Sequence, residues 1–152
     1  MSRLYFAYGS NLKLARMAER LPGARPAGVA ALADHRLVFD KRGRDGTAKA
    51  NLADAPGERV WGALYEVRPV DLAALDGFEG GYDRVAVRVA TRAAPDGSGA
   101  ACDAFTYRST RTDPELPAAA AYLELVLEGA REQGLPADYL GALAAAVEAS
   151  RS

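Results

Sequence analysis

Cysteine and histidine are almost absent from this sequence of 152 residues. Cys102 is the one cysteine, so no disulfide can form within the chain. His35 is the one histidine, which rules out most zinc sites built from histidine and cysteine. We therefore expect neither a metal nor a redox pair, and any chemistry must come from carboxylates, hydroxyls and backbone groups.

An excess of charge of either sign is also missing. The 19 lysines and arginines nearly balance 20 acidic residues, for a net charge of -1, which favours neither nucleic acid nor an anionic membrane as a partner. No apolar run reaches the ~18 residues of a membrane span. The first residues also lack the basic region and apolar core of a secretory signal. We expect a cytoplasmic protein whose partner is a small molecule.

The length is that of one compact domain, which we place at residues 1–152. A chain of this size buries roughly two thirds of its unfolded surface. It can therefore hold a hydrophobic core without a disulfide framework or a structural metal.

Hydrophobic periodicity predicts six or seven strands interspersed with helices, an α+β fold. The strands are predicted at residues 4–7, 28–32, 35–40, 48–53, 59–67, 84–92 and 101–107. Turn residues predict a turn at 54–57 and a hairpin loop at 95–99. Helices are predicted from Asn11, as N-cap, to Leu21, then at 71–75, 117–131 and 136–150.

The first candidate site is the polar segment that follows the first strand, Tyr8-Gly9-Ser10-Asn11. Gly9 in a strand-to-helix turn lets backbone N–H groups converge, which favours a bound carboxylate or phosphate. The alternative is that Ser10 and Asn11 merely cap the helix, and the local pattern alone favours that interpretation.

The second candidate lies at residues 75–82 and combines Asp76 and Glu79 with three glycines and two aromatic residues. Burial beside Phe78 would let Glu79 carry a proton near neutral pH. The alternatives are a backbone-bonding helix end for Asp76, which we favour, and a solvated turn for Glu79. The polar segment 40–47 is typical of a solvated hairpin loop, although it could also edge a cavity and influence the leaving group.

Five segments together resemble the gamma-glutamylcyclotransferase family. They are YFAYGSNL (residues 5–12), VWGALY (60–65), LD (75–76) with EG (79–80), Tyr82, and GLPADY (134–139). The resemblance implies a small, mixed, barrel-like sheet with flanking helices. It also implies release of 5-oxoproline from a gamma-glutamyl amino acid or gamma-glutamylamine, without metal or cofactor.

The same resemblance implies which residues form the site. Glu79 would be the catalytic general acid and base. The glutamyl end would be held by residues of the opening segment and by two further tyrosines: Tyr8, Gly9, Ser10, Asn11, Leu12, Tyr82 and Tyr139.

Two functions of other classes stay open at this point. A non-catalytic module could keep the pocket for a gamma-glutamyl or other carboxylate-bearing metabolite, and a hydrolase would release free glutamate. The sequence also leaves open the leaving group and the choice between monomer and homodimer.

Overall fold

The computed structural model describes residues 2–92 and 99–151, and within them five strands close into a barrel. The strands are β1 (Arg3–Ala7), β2 (Arg25–Arg42), β3 (Ala48–Val67), β4 (Asp83–Thr91) and β5 (Ala101–Arg108). The helices are α1 (Leu14–Arg20), α2 (Leu72–Phe78), α3 (Ala120–Gln133) and α4 (Ala137–Ser150), with short 3₁₀ turns at Ser10–Leu12 and Pro69–Asp71.

The barrel closes in the order β1-β3-β2-β4-β5. Its neighbouring strands are antiparallel except at the closure, where β1 pairs with β5 in parallel and Tyr5 lies opposite Phe105. The expected α+β class with a mixed, barrel-like sheet and flanking helices is confirmed. None of the described helices is both long enough and apolar enough to cross a membrane.

The expected count of six or seven strands is wrong, because two predicted pairs are each one long strand. Predicted strands 28–32 and 35–40 merge into β2, and 48–53 and 59–67 merge into β3. His35 pairs with Asp54 and Ala33 with Arg59, so residues 55–58 bulge opposite Asp34 alone. The predicted turn at 54–57 therefore bends the strand without reversing it.

The predicted N-cap role of Asn11 is also wrong. Asn11 lies within the first 3₁₀ turn, and α1 begins three residues later, at Leu14, without a side-chain cap. Three other helices are present close to their predicted positions, although α2 continues to Phe78. The hairpin loop predicted at 95–99 falls largely on residues 95–98, which lie outside the described residues.

The two faces of β1 supply two hydrophobic clusters. Consecutive strand residues point to opposite faces, so Tyr5 and Ala7 pack with residues of α1, α3 and α4. Phe6, together with Tyr8, packs with a second cluster that consists mainly of strand residues. The end of β1 is therefore held from both sides, and the polar segment that follows it begins at a well-defined position.

Candidate active site

A narrow cavity at the end of β1 contains most of the predicted site residues. The cavity and the open space at its mouth together amount to about 310 Å³. The predicted residues that line it are Tyr8, Gly9, Ser10, Asn11, Glu79 and Tyr82, and the others are Tyr5, Ala50, Tyr107 and Tyr122. The two sequence segments that carry candidate chemistry thus meet in one place.

Residues 8–12 are here called the site loop, and its first four residues form one wall of the cavity. A Cβ atom on Gly9 would lie 3.1 Å from the Ala50 Cβ and 3.6 Å from the Tyr122 hydroxyl, so a larger residue would crowd the cavity. The loop turns through hydrogen bonds from the Leu12 N–H to the Gly9 carbonyl (3.1 Å) and from the Lys13 N–H to the Ser10 carbonyl (3.2 Å).

Asn11 is buried and holds the Glu79 carboxylate through a hydrogen bond. Its Nδ2 donates to Glu79 Oε1 at 2.7 Å and to the Tyr5 hydroxyl at 2.9 Å. Its Oδ1 accepts from Arg20 Nη1 at 3.0 Å. A guanidinium can only donate, so Arg20 turns the amide oxygen toward itself and the NH₂ group toward the carboxylate. The Asn11 carbonyl also accepts from the Tyr65 hydroxyl at 3.1 Å, which anchors the loop.

The turn after α2 carries Glu79 into the cavity. The Glu79 N–H donates to the Leu75 carbonyl at 3.1 Å, and its own carbonyl accepts from the Tyr82 N–H at 3.0 Å. Gly81 follows with a φ of 88°, a left-handed conformation that favours glycine. Lys41 Nζ donates to the Gly80 carbonyl at 3.0 Å and fixes the turn from the β2 side.

Burial raises the pKa of Glu79, because removal from water disfavours the charged carboxylate. The positive charge of Arg20, the hydrogen bond from Tyr5 and the charges of Arg16 and Lys41 oppose this rise in pKa without cancelling it. Arg20 Nη1 lies 3.9 Å from Glu79 Oε1, and the Tyr5 hydroxyl donates to the same oxygen at 3.4 Å.

Phe78 is not the residue that buries Glu79, contrary to the expectation from the sequence. The Phe78 side chain is 47% exposed, and its ring lies 5.2 Å from the Arg20 guanidinium carbon. Glu79 instead lies against Tyr5, Asn11 and Arg20.

The tyrosines of the cavity are fixed hydrogen-bonding groups. Burial raises the pKa of Tyr82 and Tyr107, and it raises the pKa of Tyr122 to about 12, so all three stay protonated. The Tyr82 hydroxyl donates to the Ala50 carbonyl at 2.6 Å, and the Tyr122 hydroxyl accepts from the Ala50 N–H at 3.0 Å. These bonds hold the rings in place around the space beside Glu79.

Asp76 has a structural partner, but that partner is not the backbone group expected from the sequence. The Tyr107 hydroxyl donates to Asp76 Oδ1 at 2.6 Å. The Tyr8 hydroxyl donates to the Tyr107 carbonyl, so Asp76 supports the far wall of the cavity through this tyrosine.

Leu12 and Tyr139 are predicted substrate-binding residues that the structure places outside the cavity lining. Leu12 is fully buried in the hydrophobic core, and its carbonyl accepts from Gln133 Nε2 at 3.0 Å. Tyr139 lies on α4, where it packs against both hydrophobic clusters.

Sequence reasoning missed the tyrosines at positions 5, 107 and 122, together with Arg16 and Arg20. Tyr5 lay inside the resemblance motif, but nothing in its spacing distinguished it from a core residue. Arg16 and Arg20 are four residues apart on α1, a spacing that places two side chains on one helix face. That spacing was the one available signal.

An outer groove adjoins the cavity and shares Ser10, Glu79, Tyr82 and Tyr122 with it. Its empty volume is about 850 Å³. The remaining lining residues are Arg16, Arg20, Lys41, Gly43, Arg44, Lys49, Gly77, Phe78 and Gly80. The segment 40–47 therefore does edge the site, through Lys41, Gly43 and Arg44.

Comparison with known proteins identifies relatives along most of the chain. A protein named gamma-glutamylcyclotransferase from Homo sapiens is 33% identical, and the match covers 91% of this chain and 75% of the human protein. Its namesake from Bos taurus matches with the same identity and shares. The chain belongs to the gamma-glutamylcyclotransferase family. It is an enzyme of that type, and the resemblance recognised in its motifs is confirmed.

Two further matches agree with this family. The model described as the AIG2-like family matches residues 59–143. A solved structure named gamma-glutamyl cyclotransferase superposes with a TM-score of 0.87 at 32% identity, over 95% of this chain and 88% of the other. This solved structure therefore resembles the chain in both sequence and fold.

Proposed function

We propose that the protein releases 5-oxoproline from a gamma-glutamyl amino acid or gamma-glutamylamine. The observation that carries the proposal is the Asn11–Glu79 pair, a carboxylate with a raised pKa that is hydrogen-bonded to the site loop at the wall of a narrow cavity. The names of the gamma-glutamylcyclotransferase relatives support the same reaction.

The reaction needs no enzyme nucleophile. The alpha-amine of the glutamyl group attacks its own gamma-carbonyl and closes a five-membered ring, so the reacting atoms are tethered from the start. Well-oriented intramolecular reactions reach effective molarities of about 10⁵ to 10⁸ M. A cavity with fixed polar walls therefore contributes by holding the glutamyl group in its folded conformer.

Glu79 handles the protons. An ordinary glutamate lies about 3.5 pKa units below an alpha-amino group, so taking a proton from the ammonium costs about 5 kcal/mol. Burial narrows this gap by raising the pKa of Glu79. Glu79 takes a proton from the ammonium, the freed amine forms the ring C–N bond, and Glu79 returns the proton to the leaving nitrogen as its C–N bond breaks. The ring nitrogen loses two protons in all and the released amine gains two, so Glu79 ends unchanged.

The site loop stabilises the oxyanion that forms on the gamma-carbonyl. The N–H groups of Ser10 and Asn11 donate to no residue within 2–92 or 99–151, and they begin a 3₁₀ turn at the cavity wall. Backbone donors already in place at such a position stabilise developing charge without reorganising. Ser10 thus contributes a backbone donor in this mechanism and is not a nucleophile.

Product identification tests the proposal. The enzyme is incubated with a panel of gamma-glutamyl amino acids and gamma-glutamylamines, and the glutamyl product is identified by mass. We expect 5-oxoproline. A hydrolase would instead release glutamate, which is heavier by one water. Saturable calorimetric binding with neither product would identify a non-catalytic binding module.

A further inference from the structure

Basic side chains dominate the outer groove. Among the described residues that line it, Arg16, Arg20, Lys41, Arg44 and Lys49 are basic, and Glu79 is the one acid. Because the inner cavity holds the glutamyl group in the proposed function, the groove is where the leaving group lies. The leaving group therefore meets a surplus of positive charge.

Three of these cations lack an acidic ion-pair partner among the described residues, and one of the three, Lys41, donates to the Gly80 carbonyl instead. Lys49 pairs with Asp45 at 3.1 Å, and Arg20 is turned toward Asn11 and Glu79. Arg16 and Arg44 form no ion pair with any residue of the described ranges, and the Arg16 Nε atom is buried without a hydrogen-bond partner there. A buried donor without a partner is costly, and an anionic ligand would satisfy it.

The cations also repel one another. Burial lowers the pKa of Arg20, and the charge of Arg16 lowers it further. Burial likewise lowers the pKa of Lys41. The negative charge of Glu79 opposes this fall in pKa, and the positive charges of Arg44, Arg111 and Lys49 add to it. Arg42 and Arg111 extend the basic surface next to Lys41 and Arg44. A bound anion would relieve this repulsion, whereas a bound cation would add to it.

We propose that the leaving group is an acidic amino acid, so that the preferred substrates are gamma-glutamyl-glutamate and gamma-glutamyl-aspartate. This inference rests on the proposed function and specifies its substrate class. The alpha-carboxylate of any amino acid engages one of the unpaired arginines of the groove. In an acidic leaving group, the side-chain carboxylate engages the second unpaired arginine, whereas a cationic leaving group is repelled.

The test compares substrates of nearly equal shape and different charge. kcat/KM is measured for 5-oxoproline release from gamma-glutamyl-glutamate, gamma-glutamyl-glutamine and gamma-glutamyl-lysine. We expect kcat/KM for the glutamate substrate to exceed that for the glutamine substrate by up to about fivefold, the upper size of one exposed charge pair, and the lysine substrate to be poorest. Added salt should reduce the glutamate-to-glutamine ratio, because it screens exposed charges.

A charge-removing variant and a matched control locate the effect. Arg44→Gln removes one positive charge from the groove and should lower the glutamate-to-glutamine ratio of kcat/KM. Arg59→Gln removes one from an exposed position of β3 that does not line the groove, and it should keep the ratio. Arg16→Gln is a second groove variant that lowers the ratio by the same reasoning, should Arg44→Gln fold poorly.

The possible outcomes separate this inference from the proposed function. A glutamate-to-glutamine ratio of kcat/KM of one or less, with 5-oxoproline formed, overturns the proposal of an acidic leaving group but not that of the cyclotransferase reaction. A ratio that Arg44→Gln and Arg16→Gln leave unchanged also overturns the inference. Absence of 5-oxoproline from every substrate overturns both.

Discussion

At the scale of single residues, Asn11 and Arg20 influence the orientation and the pKa of the Glu79 carboxylate. Arg20 orients the Asn11 amide, which donates to Glu79, and its own charge lies 3.9 Å from the same carboxylate oxygen. Asn11 thus orients Glu79 through a hydrogen bond, whereas the charge of Arg20 opposes the rise in pKa that burial causes. Each contribution can be measured with its own substitution.

Arg20→Gln should move the acidic limb of the kcat/KM profile to higher pH. Glu79 must be ionised to accept the ammonium proton, and activity on this limb is lost as pH falls through its pKa. Arg20 lowers that pKa, so loss of its charge raises it. The profile is measured with gamma-glutamyl-glutamine, and Arg20→Lys, which keeps the charge, is the control. A limb that stays in place or moves to lower pH would contradict the assignment.

Asn11→Ala should lower kcat by about 10- to 100-fold, the effect of losing one hydrogen bond to a charged group. KM should change less, because Asn11 orients Glu79 and the substrate's main contacts stay in place. Asn51→Ala is the matched control, since Asn51 is another buried amide that does not line the cavity and is bonded to Asp40 and Ser109. Equal losses of kcat in both variants would reduce the role of Asn11 to general stability.

Helix α3 supports the site at the scale of secondary-structure elements. A Cβ atom on Gly129 would lie 2.4 Å from the Lys13 nitrogen and 2.6 Å from the Leu12 carbonyl carbon, so the helix backbone lies directly against the site loop. Gln133, one turn later, donates to the Leu12 carbonyl and to the Tyr65 hydroxyl, both at 3.0 Å. The position of the loop thus depends on α3.

Gly129→Ala should lower both stability and activity. The added methyl group meets backbone atoms that cannot rotate away, an overpacking that costs typically about 1–3 kcal/mol. Displacement of the loop should also lower kcat. The measurements are the free energy of unfolding in denaturant and the rate of 5-oxoproline release.

Gly141→Ala is the matched control on α4. A Cβ atom there meets nothing within 4 Å, and the position is exposed. Alanine is a better helix former than glycine, so the variant should gain about 0.5–1 kcal/mol and keep its activity. Equal destabilisation of both variants would show that α3 and the loop are not in close contact.

The sequence predicted an element correctly where its local hydrophobic pattern alone determined the structure. Strand β4 alternates valine and arginine, as a half-buried strand requires, and the structure has it at Asp83–Thr91. The prediction of a turn at 54–57 was wrong, because the residue types that favour a turn also occur in β-bulges. Asp34, with a φ of 62°, accepts from the Gly57 N–H at 3.0 Å, and this long-range contact keeps the strand continuous.

The site was predictable only in part, for a similar reason. The family motifs located Glu79 and the site loop, both of which line the cavity. Tyr5 and Tyr107 meet because β1 and β5 pair in parallel to close the barrel, and no local pattern encodes that closure. The local pattern alone predicts a helix cap at Asn11, because only the tertiary structure brings its partners Glu79 and Arg20 to it.

At the scale of the whole molecule, the buried Glu79 lowers stability above its pKa. The pKa is raised in the folded state, so the unfolded state ionises more readily and gains relative stability as pH rises. This penalty is complete above the folded pKa and disappears as pH falls below the unfolded pKa. The catalytic role proposed for Glu79 thus requires a buried carboxyl group that lowers the stability of the fold.

Glu79→Gln should therefore raise the free energy of unfolding at neutral pH, and the gain should shrink toward acidic pH. Glutamine keeps an oxygen that accepts from Asn11 and removes the cost of a buried charge. Denaturant unfolding at several pH values measures the effect, with the exposed Glu58→Gln as control. A loss of stability that grows with pH would show that the native state favours the ionised carboxylate.

The rate of 5-oxoproline release by Glu79→Gln tests the central claim most directly. Glutamine keeps the shape of the side chain and cannot carry a proton, so kcat should fall by about 10²- to 10⁴-fold. Calorimetry with the intact gamma-glutamyl substrate should still show saturable binding, because the site loop is unchanged. Turnover by Glu79→Gln at the wild-type rate would contradict the account and remove Glu79 from the mechanism.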